Sequence, residues 1–358
     1  MKPKVYFIPA SASESLDTIH NKLLILYEQA NFNVCFEPKD LVAIKIHFGE
    51  DGNTTHVPAN YLKSIINELK TQKAKPFFMD TCVLYRSNRS DAINHLLLAE
   101  SHGFSQNEIG IPVIIADGLR GSNEIEVKIP GKLFNKVSIA ADAMTANAML
   151  VVTHVTGHMA SGIGGAIKNL GMGLASRKGK LRQHSSMKPR IEVAKCTGCG
   201  QCIIWCPENA ISMNGNVAVI NEKICIGCGE CLTVCHFDAV KYNWKTSNYD
   251  LQRKMAEHAL GVVFHKKDKM CYLNFLFNIT KDCDCLPGVQ KPVFKDIGIL
   301  ASKDPVAIDK ASLDLVEQYS DKSLVSQSYP SIDPMVQLVH GEEIGLGSKQ
   351  YDMVALEK

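Results

Sequence analysis

Apolar positions in the first half of the chain fall into short dense runs, KVYFI, LVAIKIHF, PFFMDT, IPVIIAD and AMLVVTH, the last ending at His154. Between them, stretches near 14–30, 58–72 and 90–102 carry apolar residues at helical spacing. Dense runs of this length read as buried strands, and their alternation with helices predicts a parallel sheet with crossover helices. A strand at EIEVKI and a helix around 139–147 precede AMLVVTH. Beyond residue 245 the pattern predicts a helix over 248–260, strands at YLNFLFNI and DIGIL, and a helix at DPVAIDKASLDLVEQY. In that helix Asp304 suits the N-cap, with Pro305 at the first helical position. So few strands do not make a domain, and the C-terminal part is expected to complete the N-terminal sheet.

The segment between these halves breaks the pattern. Cys196, Cys199, Cys202 and Cys206 follow C-x2-C-x2-C-x3-C with Pro207 next, and Cys225, Cys228, Cys231 and Cys235 repeat it 29 residues later. A cuboidal 4Fe-4S cluster takes four thiolates, and in paired runs of this kind the fourth cysteine of each run ligates the other cluster. That rule assigns Cys196, Cys199, Cys202 and Cys235 to one cluster and Cys225, Cys228, Cys231 and Cys206 to the second. Gly198, Gly200, Gly227 and Gly229 stand between ligands, where a loop wrapped round a cluster turns N–H groups toward sulfur. AISMNGNVAVI reads as a hairpin turning at Asn214-Gly215. A pair of four-thiolate zinc sites is the competing reading, but it needs only paired C-x2-C arms and leaves the triplets and the repeat unexplained.

Residues 190–244 therefore resemble a bacterial two-cluster ferredoxin, with His236 in place of the proline usual after the fourth cysteine. The expected fold class is α/β, a mostly parallel sheet with crossover helices, interrupted by an inserted ferredoxin-like α+β domain. The expected division is 1–189 for the N-terminal part of the α/β domain, 190–244 for the insert and 245–358 for its completion.

Composition narrows the partners. With 46% hydrophobic and 21% charged residues and a formal net charge of +2, the 358-residue chain has the make-up of an ordinary globular protein. Nucleic acid is not an expected partner. No apolar run approaches the roughly 20 residues that cross a bilayer, and the start is too weakly apolar for a signal peptide, so a cytoplasmic protein without membrane contact is expected. Thirteen cysteines, an odd number with eight clustered between 196 and 235, favour thiolate ligation over a disulfide scaffold.

Ligands of an open parallel sheet gather beyond the C-terminal ends of its strands. Three following loops carry polar groups: HFGEDGNTTH, DTCVLYRSNR and THVTGHMASGIGGAIKNLGMGLASRKGKLRQH. The third is densest, with His154, His158, Lys168, Asn169 and His184 interleaved with Gly162, Gly164, Gly165, Gly171 and Gly173. Its histidines and lysine are candidate catalytic groups. Gly162, Gly164, Gly165 and Asn169 are candidate cofactor-binding positions, because glycines admit a phosphate or other cofactor to the backbone and a helix starting near 164 would aim its amides at an anion. Packing and turn formation is the bland alternative.

Arg177, Lys178, Lys180, Arg182, Lys188 and Arg190 form an acid-free run suited to a phosphorylated ligand or an acidic electron carrier, or simply to solvent. Cys283 and Cys285 form a C-x-C pair, with Cys271 twelve residues earlier, suited to a soft metal or to redox thiol chemistry. Cys35 and Cys82 read as packing residues.

VAIKIHFGEDGNTTHVP, FMDTCVLYRSNR, VIIADGLRG, GHMASGIGGAIKNLGMG and GILASKDPVAIDKAS together resemble the family called domain of unknown function 362, in the version with a ferredoxin insert. Leu174 stands where such relatives often carry a cysteine. A second similarity is to lactate racemases with a nickel-pincer nucleotide, through GGAIK, which has one residue more between glycine pair and lysine. That similarity implies Lys168 as the cofactor lysine, His158 as an upstream base and His184 as a downstream nickel ligand.

The expected function is an iron-sulfur oxidoreductase, or electron-delivery protein, whose two 4Fe-4S clusters serve a ligand or cofactor site beside His154, His158, Lys168 and His184. An additional metal or phosphorylated cofactor and a low-potential electron donor or acceptor protein are the further partners expected. The alternatives are a redox-sensing or small-molecule-binding module without catalysis, and metal-dependent proton or hydride transfer of the nickel-pincer type.

Overall fold

The computed structural model describes residues 2–184, 188–225, 227, 229–241 and 247–356. Its centre is an eight-stranded sheet in the order Asp352–Ala355, Lys4–Pro9, Gly298–Ser302, Met270–Leu276, Ala148–His154, Leu41–Lys45, Lys75–Asp80, Val113–Ile115. Five of the seven neighbouring pairs are parallel; Gly298–Ser302 runs antiparallel to both its neighbours. Strands from before and after the cysteine-rich segment thus lie side by side in one α/β sheet.

The dense apolar runs become central strands because both faces of the sheet are covered. In Ala148–His154 every residue is buried, and successive side chains serve opposite faces: Met149 and Val151 join one core, Leu150 and Val152 the other. Leu16–Gln29 and Lys63–Thr71 bury their apolar residues in one core, while Ala166–Gly171, Asn248–Val263 and Pro305–Ser320 pack into the other. The Asp304 carboxylate caps Pro305–Ser320 by accepting from the Val306 and Ala307 amides at 2.9 and 2.8 Å.

Several elements differ from the sequence expectation. EIEVKI pairs with Lys136–Ala140 in a separate hairpin rather than joining the sheet. Asp352–Ala355 adds a parallel edge strand beside Lys4–Pro9; its run, DMVA, is too short to stand out as a strand by itself, and three of its four residues stay exposed. Arg177–His184 is a helix whose Arg177, Lys180, Leu181 and Gln183 are buried.

The cysteine-rich segment forms two small antiparallel ladders, Ile211–Asn214 with Val217–Ile220 and Arg190–Ile191 with Val240–Lys241. The hairpin turns at Gly215-Asn216, one residue later than expected, because Asn214 still pairs with Val217; Gly215 has φ +59°. Its core is Cys202, Ile211, Ala218, Cys231 and Val240, joined by Leu181 from the helix Arg177–His184.

Candidate functional site

Three parallel strands end together. Leu41–Lys45, Lys75–Asp80 and Ala148–His154 bring Lys45, Asp80 and His154 to the C-terminal edge of the sheet. Above them opens a cavity of about 320 Å³ lined by His154, His158, Gly164, Gly165, Lys168, Asn169 and His184, together with Lys45, Asp80, Thr81, Arg89, Lys180, Cys283, Asp284 and Cys285. Gly162 is outside this lining; at φ +72° it turns the hairpin of Thr156–His158 with Gly162–Gly164, against Pro334 and Val325. The other candidate side chains of the glycine-rich loop share one wall.

His154 is engaged at both ring nitrogens. Nδ1 lies 2.9 Å from Asp284 Oδ2 and Nε2 lies 2.8 Å from the Phe277 carbonyl, so both carry protons. Burial opposes the charge, but the Asp284 carboxylate outweighs it and raises His154 above the ordinary histidine value. Burial likewise pushes Asp284 up, and the His154 charge and hydrogen bond reverse that and hold it low. Thr55 also donates to Asp284, at 3.1 Å. The pair fixes the turn that carries Cys283 and Cys285.

Lys168 presents an ammonium that has no hydrogen-bond partner among the described residues. Burial, with smaller contributions from Arg89 and Lys45 against the opposing pull of Asp284, lowers it to about 8. Burial, with the charges of Lys168 and His184 beside it, keeps His158 well below the usual range, and burial with Lys168 and Lys254 as neighbours holds His184 at about 4. Asn169 is bound into the wall: its Oδ1 accepts from Lys45 Nζ at 2.7 Å and its Nδ2 donates to the Val152 carbonyl at 2.9 Å.

A second layer ties the wall together. Lys45 Nζ is 3.0 Å from Asp80 Oδ1, with both side chains almost wholly buried. Arg89 donates to Glu50 at 3.0 Å, and Lys180 Nζ donates to Thr81 Oγ1 at 2.6 Å and to the Ala175 carbonyl at 2.8 Å. Glu50 lies in the loop HFGEDGNTTH, and Asp80 and Arg89 in DTCVLYRSNR, segments whose pattern marks the loops but not these residues. Lys45 had a signal of its own, a lone charge within the apolar run VAIKI.

The glycine pair does not serve an anion in the way its sequence suggests. The amides of Ala166 and Ile167, at the start of Ala166–Gly171, donate to the Asp309 carboxylate at 2.7 and 2.9 Å. A Cβ on Gly165 would fall 2.4 Å from Asp309 Oδ1, so the glycine admits the protein's own carboxylate. The first part of the basic run also turns inward, while Lys188 and Arg190 stay exposed. Arg177 is buried and donates to the Ser90 carbonyl at 2.7 Å, Lys178 pairs with Glu124 and Glu126 at 3.1 Å, and Arg182 lies over the Phe134 ring.

Cys283 and Cys285 are joined through sulfur in the cavity wall. One ring nitrogen of His158 and both sulfurs lie within 4.8 Å of one another, a grouping of donors suited by position to a metal. The hydrogen bonds of His158 have the opposite polarity. A metal-binding histidine donates its remaining N–H to an acceptor, whereas His158 Nδ1 receives the Ala160 and Ser161 amides at 3.2 and 3.1 Å. Cys271 is remote in role, buried with Cys35 in the core on one face of the sheet, and Cys82 is buried in that same core.

In the cysteine-rich segment, one small cavity is lined by Cys196, Cys199, Cys202 and Cys235, and a second by Cys206, Cys225 and Cys231. Cys228 lies outside the described residues. Backbone amides of Ala218, Ala210 and Ala239 point at the sulfurs of Cys196, Cys206 and Cys235 at 3.4, 3.2 and 3.3 Å. Gly198, Gly200, Gly227 and Gly229 all have positive φ, from 71° to 84°. Sulfur donors converging on two spaces, with amides aimed at sulfur, fit the needs of iron-sulfur ligation.

The segment is seated on the helix Arg177–His184. Leu181 enters its core while Lys180 and His184 line the large cavity. Arg177 Nη1 is 3.8 Å from Glu230 Oε1, and Arg120 lies over the Trp205 ring. Among the described residues no helix is long and apolar enough to cross a membrane.

No curated protein matches the chain. Among solved structures it is similar to the lactate racemase apoprotein from Thermoanaerobacterium thermosaccharolyticum, with TM-score 0.37 and 13% identity over 75% of this chain and 50% of that one. It is also similar to a protein from Thermotoga maritima, with TM-score 0.43 and 11% identity over 86% of this chain and 59% of that one. The chain thus spans half to three-fifths of the length of these structures. The model of the family described as domain of unknown function (DUF362) matches residues 42–314, and the chain belongs to that family.

Proposed function

We propose that this protein is an iron-sulfur redox protein in which two 4Fe-4S clusters, held by an inserted ferredoxin domain over 190–244, deliver electrons to a ligand or cofactor in the α/β cavity. The observation that carries this reading is the double use of one helix: Leu181 belongs to the core around the cysteines while Lys180 and His184 belong to the cavity wall. A carrier tethered at both ends faces one acceptor at high effective concentration, which a freely diffusing carrier does not.

Cys196, Cys199, Cys202 and Cys235 would hold one cluster, and Cys206, Cys225, Cys228 and Cys231 the other. When bound, such clusters carry single electrons at potentials set by cluster type, by hydrogen bonds to sulfur and by exposure. The amides of Ala210, Ala218 and Ala239 are the chain's means of setting that potential.

In the cavity the chain supplies charge and protons. The His154 imidazolium holds Asp284, and Lys45, paired with Asp80, is held by Asn169. Lys168, lowered to about 8 by burial, holds or releases a proton close to neutral pH, matching electrons with protons. A low-potential electron donor or acceptor protein completes the system.

The reading is tested on oxygen-free protein by iron and sulfide analysis with electron paramagnetic resonance. About eight iron atoms per chain and two one-electron signals after reduction are expected. Zinc in four-thiolate sites, with no reducible signal, would contradict it.

A further inference from the structure

The wall of the cavity holds a pair of sulfurs that the clusters themselves do not use. Cys283 and Cys285 are two residues apart and joined, and both line the cavity. A cross-link over so short a loop removes little freedom from the unfolded chain, so it is a poor structural staple. Its surroundings are built. Asp284, between the two cysteines, is fixed by His154 and Thr55 at 2.9 and 3.1 Å. The Tyr85 hydroxyl donates to the Cys285 carbonyl at 3.0 Å.

The loop that supplies Tyr85 also touches the ferredoxin-like core. Leu84, its neighbour, packs against the cluster of Leu181, Cys202 and Cys231 and at the same time lines the cavity. Two consecutive residues therefore join the region of the cysteine quartets to the Cys285 backbone. His158 argues for sulfur chemistry here over a resident metal: its Nδ1 lone pair is taken by two backbone amides, the reverse of the arrangement a ligating histidine keeps.

Resting on the iron-sulfur reading above, we infer that the Cys283–Cys285 pair is the two-electron acceptor of the cavity, cycling between disulfide and dithiol. Each of two clusters releases one electron, supplied to it by a low-potential one-electron donor. The two electrons enter the sulfur–sulfur bond, which breaks, and two protons from the cavity, where the Lys168 ammonium lies, complete two thiols. The pair thereby turns two single-electron deliveries into one two-electron reductant facing whatever the cavity binds.

The experiment uses the full-length protein with its clusters, anaerobically. Reduced methyl viologen is added in steps, the clusters are followed by paramagnetic resonance, and samples are acid-quenched for differential alkylation and peptide mass mapping. Cys283 and Cys285 are expected to be blocked before reduction and alkylated together after it. Wild-type protein is expected to take up about two more electron equivalents than Cys283→Ser, as one disulfide requires.

Clusters that become reduced while both cysteines stay blocked overturn this inference and leave the electron-delivery reading standing. A metal that copurifies with wild type and is lost from Cys283→Ser, or thiols already free in the oxidised protein, also overturns it. Clusters that accept no electrons defeat both readings.

Discussion

Gly229 rests directly on Leu181: a Cβ added to the glycine would fall 2.1 Å from Leu181 Cδ1. Gly229 belongs to the second cysteine run, and Leu181 to the helix whose other side chains line the cavity. At φ +84° the position also favours glycine for its backbone alone. Gly229→Ala is expected to destabilise the seating of the segment by about 1–3 kcal/mol, seen as lower thermal stability and faster iron loss in air. Leu181→Ala in the same chain should relieve the collision and recover part of that loss, at its own cost in core packing.

The proposed crossed ligand sets predict separable effects. Cys235→Ser should remove the cluster of Cys196, Cys199 and Cys202, and Cys206→Ser the cluster of Cys225, Cys228 and Cys231. Iron analysis should fall from about eight to about four atoms per chain in each variant. Paramagnetic resonance should lose a different signal in the two. Loss of the same signal from both variants would refute the crossing.

Asp309 lies 143 positions from Ala166 in sequence, yet its carboxylate receives the first amides of Ala166–Gly171 and a donor from Asn274. Asp309→Ala leaves these buried donors unmatched and is expected to cost about 3 kcal/mol, measured by denaturant unfolding. The change should loosen the segment that presents Lys168, so ligand binding in the cavity should weaken as stability falls.

Lys168 sets a pH dependence. An amine reacts with electrophiles only when neutral, and burial lowers this one from 10.5 to about 8. Its modification by a small acylating reagent should therefore be half-complete near pH 8 and rise up to about pH 9. Exposed lysines, near their ordinary value, should respond more than two pH units higher. Peptide mapping across pH 6–11 checks this, and a Lys168 profile coincident with the exposed lysines would contradict the buried-ammonium description.

Local chemistry was open to reading; pairing over distance was not. AMLVVTH announces a central strand by its own composition, and the cysteine quartets raise the expectation of ligation by spacing alone. The Lys45–Asp80 pair depends on two parallel strands ending in register, which no short window contains. The glycines at 164 and 165 read as an anion site because the carboxylate that fills it, Asp309, comes from a helix beyond the insert. Arg177 to Arg182 read as a solvated or docking run because burial against Ser90, Glu230 and Phe134 is a tertiary fact. His154 looked like a free catalytic group for the same reason: its partners, Asp284 and Phe277, lie more than a hundred residues away.

Electron transfer within one molecule is the claim on which the rest stands, and pulse radiolysis tests it most directly. Two electrons per chain, one for each cluster, are injected into anaerobic, cluster-loaded protein, and the visible absorbance of the clusters is followed in time. The account predicts a bleach that recovers at a rate independent of protein concentration, as both electrons pass to the cavity. A bleach that persists, or that recovers in proportion to protein concentration, would contradict it.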